Sequence, residues 1–234
     1  MDMMKKTLAE NLPSLGLTLE DSIQEQLCAF GHAMVKQNEV MNLTGITEDD
    51  QVAKLHLIDS LTVLSCADLT GKSLIDVGCG AGFPGVPTAI ACPGAKVTLL
   101  DSLAKRMNWL ETVLPQLGVE NAECVTARAE EAIVDRRESY DFATSRAVAR
   151  LNILLELTAP YVKVGGAVLA LKGTAAREEL EEAKNAISRL GLKLEQVQEF
   201  PMEDSQHTVL VLRKVRPTPP QYPRRYAQIK KSPL

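Results

Sequence analysis

The chain has 234 residues, of which 45% are hydrophobic and 24% are charged, and its formal net charge is −4. This length and composition suit one globular α/β domain with an additional element. No apolar run approaches the roughly 18 residues of a membrane helix, no signal peptide is evident, and the five cysteines include no C-x-x-C pair. We therefore expect a cytoplasmic protein with reduced thiols, no metal site and no membrane partner.

The first third of the chain predicts two helices. In the first helix, apolar residues recur every three or four positions, at Leu19, Ile23, Leu27, Phe30 and Met34. After a loop at 42–50, a second helix is predicted over 51–66, with Val52, Leu55, Ile58 and Leu61 on its buried side. We expect an N-terminal helical region at 1–66.

Short strands alternate with helices from residue 72 onward. Strands are predicted at 74–77, 96–100, 121–126, 140–145 and 167–171, the last opened by a pair of glycines. Helices are predicted at 84–91, 103–117, 148–158 and 178–190. This alternation favours a parallel sheet with helices on both faces.

The last two predicted strands, 192–200 and 207–212, are joined only by a short turn at 201–206. They must pair antiparallel, because a parallel crossover needs a dozen or more residues. A mostly parallel sheet with an antiparallel terminal hairpin resembles the Rossmann-like fold of class I S-adenosylmethionine-dependent methyltransferases. We expect this core at 67–214, followed by a basic, proline-containing tail at 215–234.

A glycine-rich loop follows the first strand, with Gly78, Gly80 and Gly82 before Phe83. Glycines let the backbone turn sharply and let a ligand lie against it. Residues 80–85 also fit G-x-G-x-x-G, a weak dinucleotide signature. Asp76 favours S-adenosylmethionine, because a carboxylate attracts a sulfonium and repels a pyrophosphate. Asp101 ends the second strand, where it could bind ribose hydroxyls of either cofactor.

These motifs carry a resemblance to a known family. The chain resembles the bacterial 16S ribosomal RNA guanine-N7 methyltransferases (RsmG or GidB) over nearly its whole length. The matching segments are 41–44, 56–61, 76–87, 101–106, 128–130, 145–147 and 171–173. The combination of the glycine loop with Asn-Leu-Thr, Asp-Ser-Leu and Ser-Arg-Ala is specific to this family.

The resemblance implies S-adenosylmethionine as cofactor and small-subunit ribosomal RNA, or the subunit itself, as partner. It implies cofactor contacts at Gly78, Phe83, Ala129, Glu130 and Arg146, to which the loop and strand ends add Asp76, Gly80, Gly82 and Asp101. We expect a monomer that positions its substrates without a general base. Arg146 is the candidate for this role, and a surface ion pair is the alternative.

Residues at the end of the fourth strand bear on the target atom. Exocyclic-amine methyltransferases carry an Asn- or Asp-Pro-Pro-aromatic motif there, where this chain reads Ser145-Arg146-Ala147. Pyrimidine-C5 enzymes need a cysteine nucleophile, and none lies near this strand end. Guanine N7 needs neither, because it bears an in-plane lone pair. His56, Asp59 and Ser60 share one helix side, which predicts either a local hydrogen-bonded face or packing beside the substrate.

Basic residues predict the contact with RNA. Seven basic residues and no acidic residue occur from Arg213 to the end, so the rest of the chain carries 30 acidic and 19 basic residues. This asymmetry indicates local contact with a polyanion, although a solvated tail would look the same. The candidate RNA contacts are Lys105, Arg106, Lys172, Arg224 and Arg225. Removal of 216–234 is expected to weaken RNA binding and to spare cofactor affinity.

Two other functions fit part of the pattern. A nicotinamide-dependent oxidoreductase could use the same glycine loop and the same acidic residue after the second strand. A ribosome-assembly factor that binds RNA without catalysis could use the same basic tail. The intact glycine loop, Asp101 and Arg146 argue against the second alternative, since a non-catalytic protein has no need of them.

Overall fold

The computed structural model describes residues 2–202 and 205–234. It contains one sheet of seven strands in the order β3-β2-β1-β4-β5-β7-β6. The strands are β1 Ser73–Val77, β2 Lys96–Asp101, β3 Ala122–Thr126, β4 Tyr140–Arg146, β5 Val162–Lys172, β6 Leu192–Met202 and β7 Ser205–Lys214. β1 to β5 pair in parallel, whereas β7 runs antiparallel to both β5 and β6. The predicted Rossmann-like fold with an antiparallel terminal hairpin is confirmed.

Helices cover both faces of this sheet. They are α1 Met3–Asn11, α2 Asp21–Met41, α3 Asp49–Val52, α4 Asp59–Cys66, α5 Gly85–Ala91, α6 Ala104–Gln116, α7 Ala129–Ala132, α8 Leu151–Thr158, α9 Ala176–Glu182, α10 Lys184–Arg189 and α11 Tyr226–Lys231. None of the helices in the described ranges is long and apolar enough to cross a membrane. α1, α2 and α4 to α6 contribute to the hydrophobic cluster on one face, and α8, α10 and α11 to the cluster on the other.

The N-terminal helices pack tightly against the sheet domain. Phe30 of α2 is fully buried, and its ring centroid lies 5.2 Å from that of Phe83 in the glycine loop and 6.2 Å from that of Trp109 in α6. The helical region and the core therefore share one hydrophobic cluster. The predicted boundary at residue 66 therefore separates segments along the sequence, but the residues on its two sides pack into the same hydrophobic core.

Three local predictions differ from the structure. The glycine pair lies within β5, which begins at Val162, because the register with β4 shifts there and a β-bulge absorbs the extra residues. The predicted helix over 178–190 is two helices, α9 and α10, divided at Ala183. The terminal strands extend closer to each other than predicted, and residues 203 and 204 of the predicted turn lie outside the described residues.

Candidate functional site

The glycine loop turns over the carboxyl ends of β1 and β2. Gly80 has φ of 58°, and a Cβ built on it meets only Arg106 Nη1, at 3.7 Å, so its backbone borders open space. Gly82 has φ of 95°, but a Cβ there would lie 2.7 Å from Val86 Cγ2 and 3.0 Å from Leu110 Cδ2. Gly80 can therefore lie against a ligand. Gly82 instead permits close packing of the loop, and the prediction that it contacts the cofactor is not supported.

A cavity of about 490 Å³ opens beside this loop, within the usual size of a small-molecule site. It lies at the carboxyl ends of the parallel strands, where ligands bind in open α/β sheets. Seven of the nine predicted cofactor residues line it, namely Gly78, Gly80, Phe83, Asp101, Ala129, Glu130 and Arg146. Residues distant in sequence thus meet at one site of mixed charge.

Asp76 does not line this cavity. Its side chain is fully buried beneath the loop, where Oδ2 accepts a hydrogen bond of 2.7 Å from the Gly85 amide at the start of α5. Burial raises the pKa of Asp76 to about 7. The prediction that Asp76 attracts a sulfonium directly is therefore corrected. Side chains alternate along β1, and that of Asp76 points into the core, where it supports the glycine loop from beneath.

Asp101 occupies the predicted place at the end of β2. Its Oδ2 accepts from the Gly80 amide at 2.9 Å, and its Oδ1 accepts from the Leu103 amide at 2.9 Å. These two bonds fix the carboxylate on the cavity wall, next to the backbone that the ligand must approach. A fixed carboxylate here suits the paired hydroxyls of a ribose. The cavity therefore fits a nucleoside such as S-adenosylmethionine, whose reactive methyl is electrophilic because it is bonded to a sulfonium.

Arg146, at the end of β4, is held by groups from the N-terminal helices. Nη1 donates to Asp59 Oδ2 at 2.8 Å and to the Leu55 carbonyl at 2.9 Å. The guanidinium carbon lies 5.1 Å from the centre of the Phe83 ring, which is within reach of a cation–π contact. The side chain is 18% exposed. Arg146 is thus a fixed positive charge on the cavity wall rather than a mobile surface group.

A break in the predicted second helix makes this arrangement possible. Residues Ala53–Ile58 form a π-helical turn between α3 and α4. The Asp59 amide donates to the carbonyls of Lys54 and His56 and bypasses that of Leu55, which accepts from Arg146 instead. Such π-turns are frequent at functional sites. The apolar spacing predicts a regular helix with Leu55 on its buried side. The extra residue of the π-turn shifts the register instead, so Leu57 is buried and Leu55 is only half-buried.

His56 is a cavity residue that the sequence did not assign to the site. Its ring stacks on Phe83 with centroids 4.9 Å apart, and its Nδ1 and Nε2 lie 3.2 Å from Arg146 Nη2 and 2.9 Å from Thr44 Oγ1. Burial and the Arg146 charge lower the pKa of His56 to about 4. The ring is therefore neutral at physiological pH and a poor proton acceptor. The sequence signals were its spacing from Asp59 and its place in the 56–61 segment that carries the family resemblance.

Asp59 joins this group to the terminal hairpin. The side chain is 7% exposed, and its Oδ1 is hydrogen-bonded to Nδ1 of His207 in β7. Burial opposes the charged form of Asp59, but His207 and Arg146 outweigh it and lower its pKa. The carboxylate therefore remains charged between two partners. His207 thus lies at the edge of the site, next to the Asp59 carboxylate.

The C-terminal tail folds back onto the domain. Ile229 and Tyr222 are buried, and Arg224 forms an ion pair with Glu156, whose side chain is fully buried. Tyr226 lines the 490 Å³ cavity, and its amide donates to Glu130 Oε1 at 3.2 Å. Loss of 216–234 would remove part of the cavity wall. The structure therefore favours the opposite expectation, that truncation also lowers cofactor affinity.

The predicted RNA contacts lie in different environments. Lys105 and Arg225 are exposed, whereas Arg106 lines the cavity opposite Gly80. Lys172 is 6% exposed and pairs with Glu179 at 2.8 Å. Arg224 is committed to Glu156, which argues against its assignment to RNA. Among the five, only Lys105 and Arg225 are exposed surface cations.

Known proteins resemble this chain over its full length. The family model described as rRNA small subunit methyltransferase G (GidB) matches residues 23–209. A protein of Acetivibrio thermocellus named ribosomal RNA small subunit methyltransferase G is 42% identical over 99% of this chain and 97% of its own length. A protein of Brevibacillus brevis with the same name is 42% identical over 99% of this chain and 100% of its own.

Solved structures share the fold at low sequence identity. A variant of the 16S rRNA (adenine(1408)-N(1))-methyltransferase of Catenulisporales acidiphilia, crystallised with SAM, has a TM-score of 0.52 at 18% identity, covering 64% of this chain and 88% of its own. A SAM-dependent methyltransferase of Aquifex aeolicus has a TM-score of 0.54 at 20% identity, covering 68% and 92%. The family match over residues 23–209, together with a relative 42% identical over 99% of the chain, shows that the chain belongs to the rRNA small subunit methyltransferase G family of S-adenosylmethionine-dependent enzymes.

Proposed function

We propose that this chain transfers a methyl group from S-adenosylmethionine to N7 of a guanine in 16S ribosomal RNA. Family membership supports the reaction class and the RNA. The target atom rests on one observation, which is the state of the polar groups around Arg146. His56 is neutral, with a pKa lowered to about 4, and the Asp59 carboxylate is held by Arg146 and His207, so neither side chain is a ready proton acceptor for an N–H target.

Guanine N7 needs no proton acceptor. Its lone pair forms the new bond to the methyl carbon while the carbon–sulfur bond breaks, and that electron pair stays on sulfur. The positive charge moves from sulfur to the base, and no proton leaves. The contribution of the protein is then to position the two reactants in line.

The residues of the 490 Å³ cavity supply that positioning. Asp101 and the Gly80 backbone hold the nucleoside end, and Ala129 and Glu130 border it after β3. Arg146 lies at the other side, on the strand end that faces the RNA substrate. In A-form RNA the deep, narrow major groove hides guanine N7. The target guanine is therefore unpaired or turned out of its stack, at a cost of a few kcal/mol.

The test is direct. The protein is incubated with labelled S-adenosylmethionine and with 16S RNA that lacks the modification, and the methyl group is mapped by mass spectrometry. We expect a single N7-methylguanine. A methyl group on an exocyclic amine or on a pyrimidine would refute the assignment.

We further propose that the enzyme acts as a monomer in the cytoplasm, where ribosomal RNA is found.

A further inference from the structure

A second cavity, of about 360 Å³, adjoins the cofactor cavity. The two cavities share one wall, formed by Arg146, Ala147 and Val148 at the end of β4. Ala147 has φ of 56°, a left-handed conformation that is costly for a residue with a side chain. Such conformations concentrate at functional sites. The sharp turn at Ala147 places one short segment between both cavities.

The walls of this second cavity combine charged side chains with apolar surface. Charged side chains that line it are mostly hidden from solvent, with 7% exposure for Asp59, 14% for Glu179 and 6% for Lys172. Buried charges are costly and are usually paired with each other. Here Asp59 pairs with Arg146, and Lys172 pairs with Glu179. A cavity with both kinds of surface suits a ligand that has apolar faces and a polar edge, as a nucleobase has.

Only one of the two carboxylate oxygens of Glu179 accepts hydrogen bonds from described residues of the protein. Its Oε2 accepts from the Leu151 amide at 2.7 Å and lies 2.8 Å from Lys172 Nζ. Lys172 is itself fixed by donation to the Ala149 carbonyl at 2.6 Å. Among the residues that the structure describes, none donates to Glu179 Oε1. The carboxylate is thus preorganised with an acceptor still available on the cavity wall.

We propose that the second cavity holds the target guanine base, and that Glu179 recognises it through Oε1, which accepts hydrogen bonds from both the N1–H and the 2-amino group. This inference rests on the proposed function. Two adjacent donors on one edge distinguish guanine from adenine, which presents an acceptor at N1. The 2-amino group and N7 lie on opposite sides of the purine, so a base gripped there by Glu179 directs N7 toward the shared wall and the cofactor cavity.

The charge of Glu179 also suits the reaction. Methyl transfer moves a positive charge from sulfur onto the base. A carboxylate at the edge of that base stabilises the developing cation more than it stabilises the neutral ground state. Lys172 acts as a positioning residue that fixes Glu179. This role explains why a lysine beside the RNA site is buried and does not need to contact a phosphate.

The test pairs a protein change with a change in the base. Single-turnover methylation is measured for the wild type, Glu179→Gln and the control Glu181→Gln, which alters an exposed carboxylate on the same helix. Each enzyme receives RNA with the mapped target guanine or with inosine, which lacks the 2-amino group. For the wild type and the control we expect inosine to slow transfer roughly 10- to 100-fold, the usual effect of losing a hydrogen bond to a charged group.

Glu179→Gln should lose a similar factor on guanine and then lose little more on inosine. Equal inosine penalties in the wild type and the variant would overturn the base-recognition proposal while leaving N7 methylation intact. Mapping of the methyl to another base would overturn both proposals. Glu179 does not line the cofactor cavity, so a folded Glu179→Gln variant should bind S-adenosylmethionine with wild-type affinity. Calorimetry of this binding therefore distinguishes a loss of methyl transfer from a loss of folding.

A second variant avoids disturbing the Lys172–Glu179 pair. Gly173 lines the second cavity, and a Cβ built on it meets no atom within 4 Å. Gly173→Phe should therefore fold, bind S-adenosylmethionine normally, and lose both methyl transfer and affinity for the guanine RNA by at least about tenfold. The control is Ala175→Phe, in the same loop but outside the cavity lining. Wild-type transfer by Gly173→Phe would overturn the proposal.

Discussion

The ion pair between Arg224 and Glu156 tests whether the C-terminal tail stabilises the folded protein. Arg224 Nε donates to Oε1 at 2.8 Å, Nη2 donates to Oε2 at 2.6 Å, and the Arg224 amide donates to Oε1 at 2.9 Å. Glu156 lies in α8 and is fully buried, whereas the Arg224 side chain is 26% exposed. Arg224→Ala removes the guanidinium and leaves a buried carboxylate with only the amide contact.

Breaking a buried pair from one side costs about 3–5 kcal/mol, because the remaining charge is uncompensated. The retained amide bond and the partial exposure of Arg224 place the expected loss near the lower end, at about 3 kcal/mol. For a chain of this size that corresponds to a fall in melting temperature of about 6 to 12 °C. Replacing both partners, as Arg224→Met with Glu156→Leu, should recover most of the loss, since no unpaired charge then remains.

The assay is urea unfolding followed by circular dichroism, with Arg225→Ala as the matched control. Arg225 is exposed and adjacent, so its loss should change the free energy of unfolding by less than about 0.5 kcal/mol. The RNA-contact hypothesis for Arg224 makes the opposite prediction, namely unchanged stability and weaker RNA binding. A free energy of unfolding for Arg224→Ala within 1 kcal/mol of the wild type, by this assay, would refute the structural role.

Three further outcomes follow from the site. Gly80→Asp should abolish S-adenosylmethionine binding in calorimetry, because its side chain and charge enter the cavity; binding near wild-type affinity would contradict this. Burial raises the pKa of Asp76 to about 7, so its protonation stabilises the folded chain at acidic pH and this contribution is lost as pH rises through about 7. Asp76→Asn should remove that pH-dependent part of the unfolding free energy, and an unchanged curve would argue against it. The pKa of His56 is lowered to about 4, so His56 should contribute no limb to methyl transfer measured from about pH 6 to 9 with both substrates saturating. A steep limb that disappears in His56→Gln would instead identify a general base.

The fold class and the position of the glycine loop beside the 490 Å³ cavity could both be predicted from the sequence. Strands and helices alternate with distinct hydrophobic periods, and the short link before β7 forces the terminal hairpin to be antiparallel. The glycine loop and Asp101 could be assigned because their spacing is local and fixed by strand ends. Secondary structure and loop motifs depend on residues close together in the sequence, so they can be predicted without knowing which distant segments are in contact.

The tertiary structure decided which polar groups face the ligand. Asp76 and Gly82 belong to the right motif, yet one is buried beneath the loop and the other serves packing. His56 and Asp59 reach Arg146 only because a π-turn redirects them, and His207 reaches Asp59 across 148 residues of sequence. The tail, predicted from charge to bind RNA, is held by a buried glutamate. Side-chain partners at long range depend on the packing of whole elements, and no local pattern records them.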